Sequence, residues 1–142
     1  MTTRTNEAQA VDPPWRARGA IGAKRVDAAL AHDAPEPVVY SMAPPSWDVP
    51  GREAMSGWSS AWRGPIGVDL RDLHVTAGED VAFATSLNHT TGTETDGERV
   101  DLWFRVTCGL CKCDGRWLLV HEHEAVPFYM DGSRRAAIDL RP

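Results

Sequence analysis

A chain of 142 residues, 42% hydrophobic and 25% charged, has the size and composition of one folded domain, which excludes a disordered chain. Its net charge of −5, with the basic residues scattered, argues against a nucleic-acid surface, which needs clustered Lys and Arg. No apolar run reaches the ~18 residues that cross a bilayer, and MTTRTNEAQAVDPPW lacks the apolar core of a signal peptide, so no membrane partner and a cytoplasmic location are expected.

Residues 1–12 are polar and are expected to form a flexible tail, with residues 13–142 as the single domain. DPPWRARGAIGAKRVDAALAHDAPEP reads as helix: Asp12 can cap it, Pro13 or Pro14 fits its first turn, and Trp15, Ile21, Val26, Ala29 and Leu30 supply apolar positions. Gly19 and Gly22 weaken its middle, so one broken helix and two short ones are both open. VVYSM is a short β-type run stopped by Pro44 and Pro45. In GREAMSGWSSAWRGP, Met55, Trp58 and Trp62 fall at helical spacing and Gly64-Pro65 supplies a stop, so a second amphipathic helix is expected to face the sheet.

From Ile66 the period changes to two. IGVDLRDLHVTA, DVAFATSLNHTTG, ERVDLWFRVTCGLCKC and RWLLVHEHEAVPFYM read as four strands separated by turn residues. Helices followed by strands give an α+β fold with an antiparallel sheet covered on one face.

The turn between the last two strands limits which side chains meet. A two-residue Asp114-Gly115 loop sets Cys113 opposite Arg116, Cys108 opposite His121 and Arg105 opposite Glu124. A three-residue loop with a bulge sets Lys112 opposite Arg116, Thr107 opposite His121 and Arg105 opposite His123. The second is preferred. It gathers Asp101, Trp103, Arg105 and Thr107 with Trp117, Leu119, His121 and His123 on one face. It leaves Leu102, Phe104, Val106, Leu118 and Val120, bordered by Glu122 and Glu124, on an apolar face that wants a partner.

Three readings compete for CKCDGRWLLVHEHEAVPFYM. Imidazoles at i and i+2 can share a metal, but alternation sends Cys108 to one face and Cys111 and Cys113 to the other, so no metal and no cofactor is expected. A nucleophilic Cys108 needs exposure and electrostatic support that a β-forming context does not offer. Acid/base chemistry in a pocket suits His121, His123 and Asp101, with Arg105 to hold an oxyanion or carboxylate. Set against that reading, the same groups serve equally well as structural ones. The three cysteines do not form a disulfide framework, and the six tryptophans suit a core wrapped around a pocket, although each could be ordinary core.

YSMAPP, AWRGPIGVDLRDLHVTAGEDVAFATSLNHTTGTETDGERVDLWFRVT and DGRWLLVHEHEAVPF together resemble the SnoaL-like, or ketosteroid-isomerase-like, branch of the nuclear-transport-factor-2-like superfamily over roughly residues 24–142. The resemblance implies a cone-shaped α+β barrel: a strongly bent, mostly antiparallel sheet wraps N-terminal helices around an apolar pocket, and its outer face builds a homodimer. It implies activities ranging from isomerases, cyclases and dehydratases to ligand binders without turnover. Many relatives carry an Asp directly before the xAPP element, where this chain has Ser41, and serine takes no proton near pH 7 unaided. Asp33 stands where an aromatic or apolar residue is expected.

The expectation is a pocket protein for a small apolar molecule bearing a carbonyl or carboxylate, with proton transfer beside the carbonyl. The alternative is a non-catalytic binding or dimerisation module. Trp47, Trp58, Trp62 and Trp103 are the expected walls, Tyr40, Asn88 and Arg105 the expected polar contacts, and His123, His121 and Asp101 the expected acid/base groups.

Overall fold

The computed structural model describes residues 19–44 and 51–142. The expectations for residues 1–12, for Pro13, Pro14 and Trp15, and for Trp47 lie outside the described residues. Residues 19–22 form a helical turn that ends where Lys24 turns to φ 57°, and a short helix α1 (Val26–Leu30) follows. The first helical region is therefore broken in two here. Gly22 lets the turn approach the sheet, since a Cβ there would stand 2.7 Å from the Ile66 carbonyl oxygen. Among the described residues no helix is long and apolar enough to cross a membrane.

The strands are β1 (Asp33–Tyr40), β2 (Trp62–Ala77), β3 (Val81–Glu94), β4 (Arg99–Cys113) and β5 (Arg116–Ala125), with helix α2 (Arg52–Ser60) between β1 and β2. They form one strongly bent sheet in the order β1-β5-β4-β3-β2, antiparallel except for β1 on β5. Its character as a mostly antiparallel α+β sheet follows the sequence expectation.

Three boundaries differ from expectation: β5 ends at Ala125, five residues before the expected Met130, and the other two differ for reasons visible in the topology. β1 begins five residues before VVYSM and runs through Pro35 and Pro37, which an edge strand tolerates because one side needs no donors. Trp62 opens β2 and does not extend the helix: Thr95 N–H donates to the Ala61 carbonyl and ties the chain to the β3–β4 hairpin. Along β2 the register slips between Arg63 and Gly67 and again between Arg71 and His74, where Asp72 has φ 51°. Such bulges increase twist and bend a sheet.

The β4–β5 hairpin corrects the preferred register. Asp114 and Gly115 both have positive φ, 49° and 76°, the mark of a two-residue type I′ turn, and Cys113 faces Arg116. One extra residue then enters β5 between Leu119, opposite Leu110, and His121, opposite Gly109. Beyond that bulge Glu122 faces Cys108, His123 faces Thr107 and Ala125 faces Arg105. Neither simple register survives along the whole hairpin.

The bulge decides which face is the core. Ala82, Ala84, Phe104, Val106, Cys108, Leu110, Trp117 and Leu119 are buried together on the concave side. The core therefore joins Phe104 and Val106, expected on the outer face, to Trp117 and Leu119, expected on the inner one, and beyond the bulge Glu122 and Glu124 turn inward with them.

Candidate functional site

The expected polar cluster lies on the convex face. Arg105, Asp101 and His123 are exposed there. His89 stacks on Trp103 at 4.3 Å and donates to Asp101 at 2.7 Å. The Arg71 guanidinium sits 5.6 Å from the Trp103 ring, and Arg141 approaches Asp101 at 3.6 Å. The His89 hydrogen bond, with Arg141 and Arg99 nearby, holds the Asp101 carboxyl below the usual range.

His121 donates from Nδ1 to the Val38 carbonyl at 2.8 Å, and the Tyr40 ring meets both His121 and His123 edge-on, at 5.3 and 5.6 Å. Arg105 and His123 thus share a face, as the sequence suggested, but it is the face turned away from the core. Trp58 is also exposed, its ring 5.5 Å from Trp62. Of the expected contacts, Trp62 and Asn88 are buried. Asn88 is fully enclosed and accepts from Ser86 Oγ at 3.0 Å.

The concave face holds a different set of reactive groups. Ladder pairing aligns Val39, Glu122, Cys108, Ala84 and Val75 in one row across the sheet. The neighbouring row is Asp33, Leu119, Leu110, Ala82 and Ala77. Cys108 donates its S–H to Glu122 Oε2 at 3.5 Å. Burial, and then the charge of Glu122, push the Asp33 carboxyl from 3.8 up to about 7. A carboxyl so placed exists in both protonation states near neutrality, which general acid/base catalysis requires. Leu119 and Leu110 stand beside it in the same row, and Trp117, two residues before Leu119, belongs to the same buried apolar cluster.

A SnoaL-like domain family model matches residues 19–129. The chain belongs to the SnoaL-like family. This SnoaL-like chain is 26% identical to an NTF2-like protein of unknown function from Pseudomonas putida KT2440, with a TM-score of 0.84 over 99% of each chain. The association domain of C. elegans CaMKII superposes with a TM-score of 0.71 at 17% identity, over 87% of this chain and 98% of that one. A ketosteroid isomerase candidate from Shewanella frigidimarina gives 0.69 at 21% identity, over 82% and 94%. The last two show a shared fold alone. No curated protein matches the chain.

Sequence reading did not single out Asp33, Glu122 or Trp117, which share the concave face. Two signals were present: Asp33 breaks the apolar expectation at its position, and Leu118-Leu119-Val120 interrupts strict alternation just where the bulge lies.

Proposed function

We propose that the concave face of this SnoaL-like domain binds a small, largely apolar molecule bearing a carbonyl, and that Asp33 moves a proton beside that carbonyl. This is the chemistry of an isomerase, cyclase or dehydratase. One observation carries the reading: Asp33 stands half-buried on the apolar concave face, with Glu122 acting on its charge. The ionised form accepts a proton from the carbon next to the carbonyl, and the neutral form returns it to another atom. Asp33, Glu122 and Glu124 on one face disfavour a carboxylate-bearing ligand, and Arg105, the expected anchor for one, lies on the other side of the sheet.

The probe is 2-tetralone, an apolar bicyclic ketone, incubated with the full chain in D2O while deuterium exchange beside its carbonyl is followed by proton NMR. Asp33→Asn is expected to slow enzyme-dependent exchange by about 10²–10⁴-fold while the ketone still binds. Exchange at the wild-type rate in that variant sinks the proposal. Loss of exchange in a His121→Ala, His123→Ala double variant, with Asp33 intact, would move the chemistry to the convex face.

A second reading, assembly, rests on Val38, Tyr40, Val81 and Phe83, all exposed and spread over β1 and β3 on the convex side. A homodimer through this face would cover them, and the likeness to an association domain supports it. If the chain proves inert toward carbonyl probes, this leaves a binding or dimerisation module. A cytoplasmic setting agrees with Cys108, Cys111 and Cys113 standing outside any disulfide.

A further inference from the structure

We infer that the indole N–H of Trp117 receives the ligand's carbonyl oxygen, so that the polar end of the ligand points toward the β4–β5 turn. The inference rests on the proposed function and adds to it the group that orients the substrate.

Trp117 is 3% exposed, and its Nε1 is buried with no hydrogen-bond partner among the described residues. A desolvated donor left unpaired is costly, and buried indole N–H groups ordinarily find an acceptor. Two other donors on this face are already engaged, Ser86 with Asn88 and Cys108 with Glu122.

Position favours Trp117 over Trp62, whose Nε1 is also buried with no partner among the described residues. Trp62 starts β2, the opposite edge of the sheet from β1, pairs with Glu94, and packs its ring over Gly92. Trp117 stands two residues from Leu119, the ladder partner of Asp33. Two steps along a strand and one across a ladder separate the Trp117 and Asp33 backbones by about 8 Å, a span suited to a bicyclic ketone. The Lys112 ammonium rests 5.6 Å from the Trp117 ring centroid. It adds positive potential where the oxygen gains negative charge as the neighbouring proton leaves.

The test uses the full chain labelled with ¹⁵N-tryptophan and titrated with 2-tetralone and with tetralin, the same rings without the oxygen. Trp117→Phe assigns the indole signal by removing it. The expected result is a downfield shift of the Trp117 N–H with the ketone and not with the hydrocarbon. Trp117→Phe should bind tetralone about three- to tenfold more weakly, as for one lost neutral hydrogen bond, with tetralin affinity unchanged. Equal shifts with both probes, or a ketone-specific shift at another indole, overturn the inference.

Deuterium exchange read in the same samples separates the two claims. Asp33-dependent exchange without a ketone-specific Trp117 shift defeats the Trp117 role and leaves the proposed function standing. A specific shift without exchange keeps Trp117 as the carbonyl receiver and defeats Asp33 as the proton carrier. Failure of 2-tetralone to bind overturns both.

Discussion

Cys108 and Glu122 face each other across the β4–β5 ladder, thiol to carboxylate, 3.5 Å apart on the concave side of the sheet. Their meeting depends on one extra residue in β5. Without that bulge the alternation that buries Trp117 and Leu119 would carry His121 and His123 inward and put both glutamates outside. An acidic, apolar hollow therefore replaces the basic one that strict alternation implies, and the following experiments probe its consequences.

Asp33 keeps its proton to about pH 7 in the folded chain, against an ordinary value of 3.8. Between those values the folded state binds more protons than the unfolded state, so this group lowers stability as pH rises from about 4 to 7, and its penalty is constant above. Asp33→Asn should therefore melt higher than wild type at pH 8, by about 1–3 kcal/mol after discounting for partial exposure, with the difference vanishing near pH 4. Thermal melts across that range decide it; a difference that does not change with pH contradicts the assignment.

Burial is the larger cause of the Asp33 shift and Glu122 the smaller. Glu122→Gln removes the second cause only, so the Asp33 midpoint should fall below 7 yet remain above 3.8. Carboxyl ¹³C NMR titration reads this directly. An unmoved midpoint would mean that the two groups do not sense each other.

Gly92 lies under the Trp62 ring, where an added Cβ would come within 2.8 and 2.9 Å of two ring carbons. That ring is 6% exposed and packs against Trp58, so it has little room to retreat. Gly92→Ala is expected to cost about 1–3 kcal/mol through overpacking, measured by urea denaturation. A neutral effect would show that the ring can slide.

Phe83 is 52% exposed on the convex face, on the same row as Gly109, His121 and Val38. Phe83→Asp should weaken self-association by about tenfold or more, since a like charge is then buried against its symmetry mate. Sedimentation velocity over a concentration series measures it. A dimer unaffected by the change assembles through another surface.

Much of this architecture was legible in local pattern. Period-two alternation located β3 and β4 to within a residue or two at each end, and Asp-Gly marked the hairpin turn, because both signals act over a few neighbouring residues. The start of β2 was less legible, since the same Trp58–Trp62 spacing suits a helix, and only the tie from Ala61 to Thr95 takes Trp62 into the sheet.

What the sequence determined alone was the α+β class, the Asp-Gly hairpin turn and the family resemblance. The tertiary structure decided that Arg105 and His123 share a face, that this face is the convex one, and that Asp33 joins Glu122 inside. The physical reason is that side-chain direction along a strand is relative. A single bulge reverses it for every later residue, and the contact between β1 and β5 forms only when segments more than 80 residues apart meet.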